Sequence, residues 1–409
     1  MTGDNTQHNF KAFVWHATWL AFTATFTEVN IILPGMILKV GGNQIHVGIL
    51  TAIMVGVPML AQLIFAGFLT PKPRKKPFLL LGIYLRVFAL AGVAWTITRL
   101  TDIVPVVAIA LVYGWMLLFT MSGAFAGVSY TDILGKSIAG ETRKKFFVVR
   151  QSLASIGVLV SALITREILK RMEYPANYEL LFMAAAAALF VAAFGFLAIK
   201  EKPIANRFES SSILEMIKFI PGYLKEDANL RNFIIINNLS GFATTLLPFY
   251  VVLARDTYSL EVADIGNFLL VQIFGMISSN LLWSRIVQRH AFKGVLFSWV
   301  TIGSVLPLLA LVITAFAPEN FFLLVFFFSG AAMSAQKIAL EGVLIEISEN
   351  DNRALYSGIN GAFNLTIALF PLVSGFAIAW MGYVPIFILG SVAMLASGFF
   401  IRRLDCELK

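Results

Sequence analysis

Residues 180–199 read LLFMAAAAALFVAAFGFLAI, twenty residues without a charge, and the next four, at 200–203, read KEKP. A helix rises about 1.5 Å per residue, so a run of this length covers about 30 Å, the hydrocarbon thickness of a bilayer. Working outward from it, runs of the same kind recur along the chain, separated by charge, Gly or Pro. Twelve can be placed, at 12–38, 46–69, 77–98, 103–129, 147–168, 178–199, 232–253, 263–284, 293–315, 320–346, 356–381 and 384–401. In lipid every backbone polar group must bond within the protein, and runs this long satisfy that condition only as helices; a membrane β-barrel would show short alternating stretches instead. The expected fold class is therefore all-α, with twelve transmembrane helices.

The composition agrees. Of 409 residues 58% are hydrophobic and only 13% charged, with 37 Phe and a mean hydropathy of +0.82. Soluble chains carry about 25% charged residues, so a cytosolic enzyme is excluded before any motif is read. A lone cysteine, Cys406, excludes an intrachain disulfide, and four scattered histidines (His8, His16, His46, His290) make no metal cage. The net charge of +8 points to the membrane rather than to nucleic acid. With the N-terminus in the cytoplasm, 22 of the 31 Lys and Arg fall on that side, six on the other and three (Arg86, Arg150, Lys337) inside segments. By the positive-inside rule both termini then face the cytoplasm of a plasma (inner) membrane. Segment 1 holds Glu28 and runs without a small-residue cleavage site into Pro34 and Gly35, so it reads as a membrane segment and not as a cleaved leader.

One connection is long. Residues 200–231, KEKPIANRFESSSILEMIKFIPGYLKEDANLR, part six segments from six. The expected domains are an N-terminal bundle at 1–199, a cytoplasmic linker at 200–231 and a C-terminal bundle at 232–409. Within the linker Ser212 and Glu215 have capping-box spacing ahead of Ile213, Leu214, Ile217 and Ile220, and Pro221 and Gly222 end the stripe. That pattern predicts a short amphipathic helix on the membrane surface.

The halves echo each other. Segment 1 carries NIILPGMIL at 30–38 and segment 7 carries TTLLPFYVVL at 244–253, with Pro34 and Pro248 in the same place. Glu141-Thr-Arg143 follows segment 4 and Asp351-Asn-Arg353 follows segment 10. Internal repetition of this kind marks transporters built from structural repeats. With the 6+6 count, the long middle loop and the basic turn Gly67-Phe-Leu-Thr-Pro71-Lys72-Pro73-Arg74-Lys75-Lys76 between segments 2 and 3, the chain resembles the major facilitator superfamily over essentially its whole length. The resemblance implies two pseudo-symmetric six-helix bundles, a central cavity lined by segments 1, 4, 7 and 10, and a monomer. It also implies a gating role for the turn, Gly67, Lys72, Arg74, Lys75 and Lys76. Here Pro71 replaces the family's acidic residue and Arg74 its second glycine. Segment 4 has no Arg and segment 5 no Gly-Pro signature, so the motifs of the drug/proton antiporters are missing.

Charged groups inside the bilayer cost at least about 2.5–3.5 kcal/mol each and are functional candidates by default. Glu28 lies about 24 Å into segment 1, among Thr23, Thr25, Thr27 and Asn30. The resemblance places it at the cavity, where a carboxylate that takes up a proton on burial would serve as a proton carrier; a permanently ionised structural role is the alternative. Lys337 and Glu341 in segment 10 are four apart, on one helix face. They either pair with each other or act separately, Lys337 on an anionic substrate and Glu341 on a proton. Arg86 in segment 3 needs a carboxylate, a carbonyl or water, and Glu28 is one possible partner. Arg150 lies within reach of the interface. Among neutral polar residues Asn237, Gln272, Gln336 and Asn364 are candidate substrate contacts, with helix-to-helix bonding the alternative.

The expected function is secondary active transport of a small organic solute by alternating access, coupled to protons through Glu28 and Glu341 and directed outward. No Walker-type loop, catalytic triad or cofactor motif is present. Substrate, protons and lipid are the expected partners. A proton-independent uniporter or exchanger of an organic anion stays open, as does a receptor or assembly factor that keeps the fold without turnover.

Overall fold

The computed structural model describes residues 2–69, 72–138, 140–201, 222, 224–258, 260–348, 356, 359–361 and 363–405. Pro71, the expected linker helix at 212–220, Asp351-Asn-Arg353 and Cys406 lie outside the described residues, as do the side chains of Glu141 and Arg143. Every described element is helical. Ten helices are long and apolar enough to cross a membrane. One of them, Val262–Phe316, holds segments 8 and 9, separated by a kink at His290 and Ala291. Segment 1, broken into two helices, supplies the remaining pass. The twelve-segment, all-α reading therefore holds.

Segment 1 departs from the expected continuous run. It consists of Thr2–Phe26 and Ile32–Lys39, with residues 27–31 outside both helices. Segment 7 breaks similarly, into Ala228–Thr244 and Leu247–Tyr258. The local sequence explains both interruptions. Thr25 and Thr27 donate their hydroxyls to the carbonyls of Ala21 and Thr23, and Thr244 and Thr245 do the same to Ser240 and Gly241; such back-bonding bends and loosens helices. Pro34 and Pro248 then fall in the first turn of the restarting helix, where a missing N–H leaves no bond unmade. Segment 11 also begins its long helix late, at Leu365, after a non-helical Asn364.

Contacts divide the chain into two units: residues 1–41 with 57–213, and residues 42–56 with 214–409. Segment 2 takes part in both. Its outer part, Gln44–Thr51 with the π-helical turn Ala52–Gly56, packs in the second unit against segment 11, where Gly48 lies against Pro371 and Gly375, and Gly56 against Ala368. Its inner part, Val57–Leu69, belongs to the first unit.

Within each unit the helices close through small residues. Lipid tails are as apolar as leucine, so membrane helices associate by close packing, and glycine lets backbones approach. In the first unit Gly82 of segment 3 meets Ser122 and Ala126 of segment 4, and Gly195 of segment 6 meets the Ala12 carbonyl of segment 1. In the second, Gly275 of segment 8 faces the Phe327 carbonyl, and Gly330 of segment 10 faces that of Gln272. A methyl group at either of these last two would collide with a carbonyl oxygen of the neighbouring helix. Gly330→Val is expected to cost about 1–3 kcal/mol or more; size-exclusion profiles and melting in detergent should show loss of monodisperse protein, while Gly114→Ala, at a position with open space, should leave both unchanged.

Candidate functional site

The break in segment 1 is closed by Glu28. Its Oε2 accepts the backbone N–H groups of Asn30 at 2.8 Å and Ile31 at 2.6 Å, and its Oε1 accepts the Asn30 side-chain amide at 2.8 Å. The Glu28 carbonyl accepts from Leu33 N–H at 3.1 Å, which starts the second helix. The Asn30 and Ile31 N–H groups lie in the break itself, just ahead of the helix that starts at Ile32, and the carboxylate supplies the acceptors that irregular backbone in the membrane needs. An ionised carboxylate can hold all three donors. A protonated one converts one oxygen into an O–H donor and must loosen part of the set. Glu28 is half-buried, and among the described residues it makes no ion pair.

Arg86, for which Glu28 was one possible partner, is not bonded to it. Its guanidinium lies over the Phe119 ring at 4.3 Å, its Nε is buried without a hydrogen-bond partner, and Gly123 of segment 4 leaves room for it, a Cβ there falling 3.4 Å from Nε. Arginine is held by an aromatic face here rather than by a carboxylate. Arg150 likewise stands over Phe147, at 5.4 Å.

In segment 10, Leu323–Ile347, Lys337 and Glu341 are both exposed, and no ion pair joins them. Their direction is informative. Leu324 and Phe328, exposed apolar residues of the outer half, lie about 140–180° around the helix from Lys337 at 100° per residue. The helix therefore shows an apolar face to lipid at one end and a charged face on the opposite side at the other.

The neutral candidates divide. Gln272 is buried and donates to Ser329 Oγ at 3.2 Å, which ties segment 8 to segment 10. Asn237 is buried and donates to Asn360 Oδ1 at 2.6 Å, leaving its own Oδ1 without a donor. Asn364 is buried at the segment 11 break, its Oδ1 also without a donor. Gln336 lines a small cavity of the second unit with Thr244, Tyr250, Trp299, Met333 and Met394; at about 20 Å³ it has room for a single water. Asn238 bridges the segment 11 break, donating to the Phe363 carbonyl at 2.8 Å and accepting from Thr366 N–H at 3.2 Å.

At the turn after segment 2, Gly67 and Arg74 are exposed and Lys72 lies 5.0 Å from the Phe68 ring. Lys75 is only 3% exposed and pairs with Asp132 of segment 4 at 2.9 Å, an ion pair that Lys136 joins at 2.7 Å. Glu201 caps segment 3, accepting Lys75 N–H at 2.7 Å and Lys76 N–H at 2.9 Å, while Lys76 Nζ donates to the carbonyls of Leu197 and Ile199. Asp132 and Glu201 thus supply the negative charge that the turn itself lacks. The sequence reading ended segment 4 at 129 and so left Asp132 outside it; the signal was the i, i+4 spacing of Asp132 and Lys136.

The family model of the Major Facilitator Superfamily matches residues 233–405. No curated protein matches the chain. Among solved structures, a POT family transporter in complex with a thioalcohol-conjugated peptide has a TM-score of 0.72 at 10% identity, over 97% of this chain and 96% of that one. The nucleoside transporter NupG gives 0.63 at 12% identity, over 97% and 99%. The human organic anion transporter MFSD10 (TETRAN) gives 0.64 at 14% identity, over 97% and 99%. These likenesses are of fold alone, and they span nearly the whole chain. The chain thus matches the Major Facilitator Superfamily model over residues 233–405 and is similar in fold to these transporters over nearly its whole length, with no subgroup identified by either.

Proposed function

We propose that the protein is a secondary active transporter that moves a small organic anion through the membrane by alternating access, with Glu28 as its proton carrier. The observation that carries this reading is the break in segment 1, closed by a carboxylate with no cation beside it. Discontinuous helices at mid-membrane mark solute and ion sites in transporters. A proton taken up by Glu28 removes its charge and loosens the cap on Asn30 and Ile31, so protonation and the shape of segment 1 are linked in one group.

The charge of the cargo follows from the cations. Among the described residues the three cations inside segments, Arg86, Arg150 and Lys337, make no ion pair; Arg150 lies within reach of the interface, which leaves Arg86 in the first unit and Lys337 in the second. A bare cation at such depth is expensive and is best accounted for by an anion that visits it. Glu341, one turn from Lys337, is the second candidate proton group. The solved relatives carry cargo as different as peptides and nucleosides, so the fold alone does not choose. The basic bias of the sequence supports a plasma or inner membrane location with both termini in the cytoplasm.

A second reading has its own support: three donors converging on Glu28 suit a permanent carboxylate, which would make the cap structural and the carrier a proton-independent exchanger or uniporter. Reconstitution in liposomes with an internal pH dye separates the two. Substrate-dependent proton flux is expected in the wild type and should vanish in Glu28→Gln, with exchange of labelled substrate retained. Undiminished gradient-driven uptake by the variant would make Glu28 structural. In the same vesicles Lys337→Gln should raise KM for anionic substrates about tenfold or more, the loss of one charge-assisted contact, and leave neutral analogues unaffected; equal effects on both would remove the anion from the proposal.

A further inference from the structure

Segment 8 ends in a feature that transport does not use. Leu282, Arg285, Ile286 and Arg289 recur at i, i+3, i+4 and i+7 and so share one helix face. With His290 they line a groove of about 370 Å³. The groove is formed where the chain kinks at Ala291, whose φ of 53° is uncommon for a residue with a side chain. Segment 9 comes close there: a Cβ at Gly294 would fall 2.5 Å from His290 Cβ and 3.0 Å from Ile286 Cγ2. A larger residue at 294 would press into the groove floor.

Arg285 and Arg289 are exposed, and among the described residues neither has a carboxylate within ion-pair distance. The neighbouring Lys293 differs, since its ammonium donates to the carbonyls of Arg402 and Leu404 at the end of segment 12. The two arginines are therefore left over when the local carbonyls have been satisfied. Above them the same face of segment 8 is apolar and open: Phe274 is 60% exposed, Leu281 73% and Leu282 50%. At 100° per residue, Phe274, Leu281, Arg285 and Arg289 fall within about 80° of one another around the helix. An apolar stripe thus runs straight into a basic groove.

We infer that the groove of Arg285, Arg289 and His290 binds the phosphate headgroup of an anionic phospholipid whose acyl chains lie along Phe274, Leu281 and Leu282. The forked guanidinium matches a phosphate oxygen pair, which an ammonium does not. A free phosphate would use the arginines alone, whereas the stripe beside them needs a ligand with an acyl chain. The positive-inside bias puts this turn on the cytoplasmic side, the leaflet that carries anionic lipid.

The test is lipid selectivity of the purified full-length protein. In nanodiscs containing equal phosphatidylglycerol and phosphatidylcholine, with a brominated tail on one lipid at a time, quenching of a fluorophore at an engineered cysteine replacing Ser278 reports which lipid sits on segment 8. Phosphatidylglycerol should be preferred, and Arg285→Gln with Arg289→Gln should reduce the preference about thirtyfold, the effect of removing two basic residues near a charged surface. Lys293→Gln should leave it intact. Should the double variant not fold, Arg289→Gln alone carries the test, with a smaller loss expected. No preference in the wild type, or an unchanged one in the arginine variants, overturns the proposal. Displacement of the phosphatidylglycerol signal by millimolar inorganic phosphate would also overturn it, since the site would then be for a soluble anion.

Discussion

Backbone hydrogen bonding in lipid is the constraint on which the rest of this structure depends. A peptide group that finds no partner in hydrocarbon costs several kcal/mol, so each crossing is helical, and wherever a helix stops some other group must take over its donors and acceptors. The chain meets that demand in different ways. At the segment 1 break the Glu28 carboxylate accepts the free N–H groups. At the segment 11 break the Asn238 amide donates and accepts at once. At the start of segment 3 Glu201 reaches across to cap the helix.

Of these caps only Glu28 can change its charge in ordinary conditions while remaining part of the membrane segment. An amide cap is fixed in its pattern of donors and acceptors, and Glu201 belongs to the residues between segments 6 and 7. The carboxylate that closes the break is thus the same group that the proposed mechanism uses as its proton carrier.

Much of this was legible in the residues. Twelve crossings and the repeat marked by Pro34 and Pro248 follow from hydropathy and spacing, and the cost of buried charge singles out Glu28 as a candidate. The break beside Glu28 was not foreseen, because 12–38 is apolar enough to read as one helix and proline in a first turn leaves no gap in the pattern. Asp132 was missed for a related reason: hydropathy ends segment 4 where charge begins, yet the helix continues to Ser137, held there by Lys75 and Lys136. Asn237 and Gln272 could be assigned to substrate or to neighbouring helices on sequence grounds, and their partners, Asn360 and Ser329, are far away in the chain.

The sequence by itself determined what lipid tests locally: which stretches are apolar for long enough, where positive charge gathers, and which ionisable groups are too costly to bury without purpose. These depend on each residue's own transfer free energy and on neighbours within a turn or two. The tertiary structure alone decided which groups meet. It put Arg86 on Phe119 instead of on Glu28, kept Lys337 from pairing with Glu341, and gave Lys75 its carboxylate from segment 4. Such pairings rest on helix rotation and on the close approaches that Gly82, Gly275 and Gly330 allow, and these are set by packing between segments distant in the chain, which no local pattern encodes.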